Sequence, residues 1–219
     1  MKQTGRICLS DGALIPTERG LWHSTFEKLK EAQSGILEMS NAQDRVSYES
    51  GWVRFVDSLE EAWSSFFEEG KTKFKKFQPW TGIKERERKS DPFLNYLIQS
   101  RHQSQHGNVC IEWDESTIII APNYFGHIKD LKIFPDGKFE VEANPLGNTK
   151  NVVTLNNDTG KPRLPTIENR KHKQTFKKPL IHFDKNISDF LPHEAARLAI
   201  EYYFSIYRSA LEKFANQDL

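Results

Sequence analysis

Apolar residues recur at steps of three and four along the first half of the chain, as they do on the buried face of an α-helix. Residues 18–39 and residues 43–69 both follow this spacing. The second segment has the stronger pattern, which consists of Trp52, Phe55, Leu59, Trp63 and Phe66. Both segments are therefore predicted to be amphipathic helices.

The next segment, residues 71–89, is predicted to be a connector. Gly70 is placed to end the second helix, because glycine readily adopts the backbone conformation found just past a helix. Pro79 and Gly82 interrupt the middle of the segment and argue against one long helix there.

A third helix is predicted to begin near residue 90. The side chain of Asp91, or of the serine before it, can accept hydrogen bonds from the first free amides. Pro92 suits the first helical position because its missing N–H would be unpaired there anyway. Phe93 and Leu97 would bury the first half of this helix, and Gly107 would end it.

Between residues 108 and 188 the pattern changes to one typical of β-strands. The β-prone runs are VCIEW (109–113), TIIIAP (117–122), LKIFPDGKFEVEA (131–143), VVTL (152–155) and PLIHF (179–183). The third run predicts a hairpin around Pro135, Asp136 and Gly137. Residues 156–178 are rich in Asn, Gly, Pro and Lys and are predicted to be a loop.

The chain returns to helical spacing over residues 189–217, with a start marked by Pro192 and Glu194. The predicted buried stripe is Ala196, Ile200, Tyr203, Tyr207, Ala210 and Phe214. The predicted fold is therefore α+β and forms a single domain over residues 1–219. It consists of a bundle of four main helices, with a β-rich insertion before the last helix that forms a small sheet packed on the bundle or beside it.

Composition adds a prediction about location. Hydrophobic residues make up 37% of the chain and charged residues 28%, which is typical of a soluble globular protein. No segment has the length and hydrophobicity of a membrane span, and the N-terminus lacks the apolar core of a signal peptide. Cys8 and Cys110 do not form a disulfide framework. These features favour a cytoplasmic protein with no membrane partner.

The net charge of +1 hides two strongly basic segments. Residues 71–89 contain eight Lys or Arg and two Glu, and residues 161–178 contain seven Lys or Arg and one Glu. Either segment could bind a polyanion, and either could equally be a solvated loop whose lysines serve solubility.

The end of the third helix carries Arg101, His102 and His106 where apolar residues stop. One explanation is an exposed helix end, where cations are favourable against the helix dipole. A second is a metal site, because His102 and His106 lie four residues apart on one face, but no further ligand is evident. A third is phosphodiester chemistry, in which histidine transfers protons and arginine holds the phosphate.

The third explanation matches a known motif. Arg101, the polar His102, and His106 after three more residues resemble the Arg-x4-His motif of HEPN (higher eukaryotes and prokaryotes nucleotide-binding) domains. The resemblance covers mainly the helical residues 18–107 and 189–217. It implies a helical bundle and a metal-independent endoribonuclease of a toxin or defence type, without a cofactor. Arg101 and His106 would be its catalytic pair and His102 their support.

The same resemblance implies partners. In HEPN ribonucleases two copies of the motif meet across a homodimer interface, the substrate is RNA, and an antitoxin or other protein can be a partner. The alternative is a non-catalytic HEPN-like module that binds nucleotide or RNA or assembles with a partner. The inserted residues 108–188 depart from the family layout.

Three further features of the sequence could support the motif. In the basic loop, Phe176 lies among the candidate substrate-binding residues, and such an arrangement suits single-stranded RNA. These residues are Lys171, Lys173, Lys177 and Lys178. The connector KTKFKKFQPW (71–80) offers a similar mixture, and Glu49 is a candidate for orienting an imidazole.

Overall fold

The computed structural model describes residues 20–105, 111–113, 118–120, 126–133, 139–145, 153–155, 160–169 and 173–214. Most of the residues in these ordered elements are helical, and short strands make up the rest, in agreement with the predicted α+β class. The helices are α1 (His23–Asn41), α2 (Arg45–Lys73), α3 (Phe77–Ser90), α4 (Pro92–Ser104) and α5 (Pro192–Phe214). The strands are β1 (Glu112–Trp113), β2 (Ile118–Ile120), β3 (Gly126–Ile133), β4 (Phe139–Pro145), β5 (Val153–Leu155), β6 (Pro162–Arg163), β7 (Ile167–Asn169), β8 (Gln174–Phe176), β9 (Ile181–His182) and β10 (Lys185–Asn186).

Helices α1 and α2 form a tightly packed hairpin. Asp44 precedes α2 and accepts a hydrogen bond from the Ser47 amide at 2.8 Å, which satisfies one of the free donors at the start of the helix. The backbones come close at Gly35 and Gly51, where a Cβ on either glycine would lie within 2.8 Å of the other residue's carbonyl oxygen. The close approach therefore depends on the absence of side chains at both positions.

The core is rich in aromatic side chains. Trp22, just before α1, is fully buried and donates its indole N–H to the Phe66 carbonyl at 3.1 Å. Its ring packs against Phe66, Phe77 and Phe214, which come from α2, α3 and α5. One residue thus joins the ends of three helices. The predicted burial of Tyr203 and Tyr207 in α5 is confirmed.

The prediction of a connector at residues 71–89 is wrong, because α3 lies there and raises the count of described helices from the predicted four to five. Pro79 is the third residue of α3, where its missing N–H breaks no intrahelical bond. Gly82 is tolerated inside the helix. Gly70 lies within α2, and a Cβ there would overlap the ring of Phe77, so its small size matters more than its flexibility.

The β-rich residues between α4 and α5 form five two-stranded antiparallel ladders among the described residues. The predicted hairpin is confirmed as β3 paired with β4, although its turn residues 135–137 lie outside the described residues. Strand β1 pairs with β6 and β2 with β5, so these runs pair with later parts of the chain. The remaining ladders are β7–β8 and β9–β10.

Residues 156–178 were predicted to be a loop, but β6, β7 and β8 lie within them. Each has only two or three residues, which is too short for strand periodicity to be visible in the sequence. Strands β7 and β9 both contact α4, so this part of the chain borders the helix that carries the motif. Within the described residues, the longest apolar helical stretch falls short of what a membrane span requires.

Candidate functional site at the end of helix α4

Helix α4 is fixed at its start by Asp91. Its carboxylate accepts a hydrogen bond from the Leu94 amide at 2.8 Å, and Pro92 occupies the first helical position, so the predicted cap is confirmed. The same carboxylate lies 3.0 Å from Nδ1 of His182 and accepts the amide N–H of Phe183, both in the β9–β10 hairpin. Asp91 therefore ties α4 to a segment that is distant in sequence.

One face of α4 is buried, including Phe93 and Leu97 as predicted, and the burial extends to Ser100. The hydroxyl of Tyr96 donates to the Pro165 carbonyl at 2.8 Å, which holds the segment before β7 against the helix. These contacts hold the helix as far as Ser100, immediately before Arg101.

Arg101 turns toward helix α2. Its Nε atom lies 4.0 Å from Oδ1 of Asp57. That Nε is buried and has no hydrogen-bond partner within the described residues, whereas the side chain as a whole is 28% exposed. The exposed surface therefore belongs to other atoms of the side chain. Arg101 is partly covered by a carboxylate and partly open to solvent.

Asp57 is held from the α4 side as well. Ser104 lies three residues after Arg101, and its hydroxyl is 3.3 Å from Oδ1 of Asp57 and 2.8 Å from the Arg101 carbonyl. Burial raises the pKa of the Asp57 carboxyl and nearby Glu61 raises it further, while the Ser104 hydrogen bond and the Arg101 charge act in the opposite direction. Asp57, Arg101 and Ser104 thus form one polar cluster between α2 and α4.

The structure describes one of the two histidines of the motif. His102 is exposed, in the last turn of α4. His106 and Gly107 lie outside the described residues, and the described helix ends at Ser104. The structure thus brings Arg101 together with Asp57, and it does not test the predicted relation of Arg101 to His106.

The basic loop forms the β7–β8 hairpin beside α4. Asn169 at the end of β7 donates to the Gln99 side chain at 3.4 Å, and Gln99 lies three residues before His102. Lys173 is exposed and has a positive φ of 50°, in the turn before β8. The hairpin therefore lies along the same end of α4 as the motif.

The predicted substrate-binding lysines have different surroundings. Lys177 is exposed, whereas the ammonium of Lys178 donates to the Ser188 carbonyl at 2.7 Å and links two backbone segments. Lys171 lies outside the described residues. Phe176 is partly buried and packs against the core.

The aromatic side chains Phe74 and Phe77 of the connector 71–80 are less available for stacking on RNA bases than the sequence suggested. Phe74 and Phe77 are buried and pack against Trp22, so their rings face the core. The lysines between them remain on the surface, where they can attract anions only by charge.

Sequence reasoning missed the partners of several polar residues. Glu49 accepts the indole N–H of Trp113 at 2.9 Å, which gives it a partner other than an imidazole. Neither the pairing of Asp57 with Arg101 nor that of Asp91 with His182 was predicted. Asp57 lies in the same helical turn as core residues and belongs to no sequence motif. Nothing in the neighbouring sequence therefore predicts its contact with Arg101.

No group of three or more His, Cys, Asp and Glu side chains suited to a metal ion occurs within the described residues. Comparisons of the chain with protein-family models, with curated proteins and with solved structures found no match. The motif in the sequence and the geometry around Arg101 are therefore the features of this chain that point to a function.

Proposed function

We propose that the chain is a HEPN-type, metal-independent endoribonuclease whose site contains Arg101, His102 and His106. The observation that carries this proposal is the setting of Arg101. It lies in the last turn of an anchored helix, beside a carboxylate and partly open to solvent, and the exposed His102 follows it. A phosphate can approach such an arginine without disturbing the hydrophobic core.

In the proposed reaction the 2′-hydroxyl of a ribose attacks the adjacent phosphorus, and the bond from phosphorus to the 5′-oxygen breaks. One group takes the proton of the 2′-hydroxyl and another gives a proton to the leaving 5′-oxygen. His106 and its counterpart in a second copy fill these two roles, since imidazole exchanges protons near neutral pH. Arg101 stabilises the charge on the phosphate, and His102 supports the pair.

The β7–β8 hairpin supports RNA as the substrate. It lies against α4 through Asn169 and Gln99, and it carries the exposed residues Lys173 and Lys177. Lysines beside a cleavage site attract the phosphate backbone through charge, independently of sequence. RNA bound along this hairpin would pass the end of α4 that bears the motif.

The proposal includes a homodimer, because a single motif supplies only one His106 to a reaction that needs two proton-transfer groups. An antitoxin-like partner protein belongs to the same proposal. The rival is a non-catalytic module of the same kind. In that case Arg101 would serve only as a structural link to Asp57, and RNA would bind without being cleaved.

The test is RNA cleavage in excess chelator by the wild type, Arg101→Ala and His106→Ala. We expect the wild type to cleave, and each variant to lose activity by about 100-fold or more. Arg86→Ala is the matched control, because Arg86 is an exposed arginine on α3.

Three results would contradict the proposed function. They are no cleavage by the folded wild type, cleavage that chelator abolishes, and cleavage that survives both substitutions. RNA binding without cleavage by the wild type would instead support the non-catalytic module.

A further inference from the structure

We propose that Asp57 is a positioning residue for Arg101: it holds the guanidinium through the Nε side and leaves the terminal nitrogens for a phosphate. This inference deepens the proposed function and rests on it. Asp57 belongs to α2, outside the motif, and no sequence pattern points to it.

The direction of the Arg101 side chain supports this role. Nε of Arg101 is buried and lies 4.0 Å from Oδ1 of Asp57, whereas more than a quarter of the side-chain surface is exposed. The charge on Asp57 attracts the buried edge of the guanidinium. A guanidinium held by one edge can still offer two N–H groups at its other edge to a phosphate.

Asp57 itself has a second neighbour on α4. The hydroxyl of Ser104 lies 3.3 Å from its Oδ1, and Ser104 is one helical turn beyond Arg101. The Ser104 hydroxyl also lies 2.8 Å from the Arg101 carbonyl, so its proton is shared between that carbonyl and the carboxylate. Asp57 thus faces α4 at two positions three residues apart, through this hydroxyl and through the charge of Arg101. An arginine has several rotatable bonds, so a fixed anion beside it reduces the number of conformations available before substrate binds.

The negative charge of Asp57 also affects how Arg101 binds phosphate. Arg101 without a neighbouring carboxylate would bind phosphate more strongly but would be less well oriented. Asp57 makes the site less positive, and it also fixes the orientation of the Arg101 guanidinium. Removing this charge while keeping the shape, as in Asp57→Asn, should therefore weaken catalysis without weakening RNA binding.

The first experiment does not depend on activity. The Nε–H signal of Arg101 is observed by NMR in ¹⁵N-labelled protein and is assigned with Arg101→Lys. We expect this N–H to exchange slowly with water in the wild type and several-fold faster in Asp57→Asn. Glu68→Gln is the control, since Glu68 is an exposed carboxylate on the same helix that pairs with Lys71. Equal exchange rates in the wild type and Asp57→Asn would overturn the inference.

The second experiment measures kcat and KM for RNA cleavage. We expect kcat to fall about 10-fold or more in Asp57→Asn while KM stays the same or falls, and Asp57→Glu to recover part of kcat. A loss of folded protein would lower the apparent kcat in both variants, with no recovery by glutamate. An unchanged kcat, or a higher KM alone, would overturn the positioning role.

The two experiments separate this inference from the proposed function. A folded wild type that does not cleave RNA would overturn the proposed function and any catalytic role of Asp57 with it. The exchange rate of the Arg101 N–H would still decide whether Asp57 holds the guanidinium. Cleavage by the wild type together with unchanged Asp57→Asn would overturn only the inference about Asp57.

Discussion

At the scale of single residues, the most unusual side chain is Arg88, which is only 2% exposed inside a helical core. It forms ion pairs with Glu60 of α2 and Glu85 of α3, and its Nε donates to the Tyr203 hydroxyl of α5 at 2.8 Å. Its guanidinium also lies 4.2 Å from the ring of Trp63. Burial disfavours the charge, but Tyr203, Glu60 and Glu85 hold the pKa of Arg88 above its ordinary value.

Replacing Arg88 by methionine should therefore be strongly destabilising. The substitution keeps much of the volume but removes the cation that pairs with Glu60 and the N–H that the Tyr203 hydroxyl accepts. Glu60 then keeps only the long hydrogen bond of 3.4 Å from the Tyr203 hydroxyl. We expect a loss of roughly 3–5 kcal/mol in the free energy of unfolding, measured by urea denaturation. Arg86→Met, an exposed arginine on the same helix, should change it by less than about 0.5 kcal/mol. Equal stability of the two variants would show that the buried network contributes little.

At the scale of elements, helix pairs depend on residues that are small at the point of contact. A Cβ on Gly35 would lie 2.6 Å from the Gly51 carbonyl oxygen, and a Cβ on Gly51 would lie 2.8 Å from that of Gly35. Alanine is intrinsically better than glycine in a helix by about 1 kcal/mol. At Gly35 and Gly51 this preference for alanine is outweighed, because an added Cβ would clash with the backbone of the other helix.

Gly35→Ala should therefore destabilise the protein, whereas Gly82→Ala should stabilise it. Beyond the backbone of α3 itself, no atom of the described residues comes within 4 Å of a Cβ at Gly82. Helix propensity alone acts there, and we expect a gain of about 0.5–1 kcal/mol. For Gly35→Ala we expect a loss of about 1–3 kcal/mol from overpacking against backbone. Urea denaturation measures the change in the free energy of unfolding for each variant. If both variants were stabilised or both were destabilised, this account of the α1–α2 hairpin would be contradicted.

The joint between α4 and the β9–β10 hairpin should depend on pH through Asp91. Burial tends to raise the pKa of this carboxyl, but hydrogen bonds from His182, Phe183 and Leu94 hold it below its ordinary value. Because the folded pKa is lowered, the stabilisation is fully present above the unfolded pKa of about 3.9. It is lost as the pH falls through the lower, folded value.

Asp91→Asn should thus be less stable than the wild type near neutral pH, and the difference should shrink below about pH 4. Urea denaturation of both proteins between about pH 6 and about pH 3 measures this difference. Asp184→Asn alters an exposed carboxylate in the turn of the same hairpin and is the control. A difference that stays constant over this range would rule out the Asp91 charge as its cause.

At the scale of the whole molecule, the proposed chemistry needs two copies of the chain. We expect native mass spectrometry to give twice the 25.5 kDa of one chain. Activity per chain should fall on dilution below the dissociation constant of the dimer, because the composite site is then lost. A monomer with constant activity per chain on dilution would contradict a composite site. Arg86→Ala should follow the same dilution curve as the wild type.

The sequence predicted those parts of the fold whose signals are local. The stripes in α1, α2 and α5 and the cap at Asp91 depend on neighbours within a few residues, so spacing was enough to find them. The same local rules fail for α3, because they treat Pro79 and Gly82 as helix breakers. In the structure Pro79 lies in the first turn, and Phe77, just before it, packs against Trp22.

The tertiary structure decided which polar residues meet. The sequence alone predicted Arg101 and His102 as candidate site residues. It also placed them correctly at the end of a capped helix, since that position follows from the helix itself. It did not identify Asp57 as the neighbour of Arg101, because that contact joins residues 44 positions apart through the packing of α2 against α4. Long-range pairs of this kind depend on how helices are packed, and a single sequence carries no periodic signal for them.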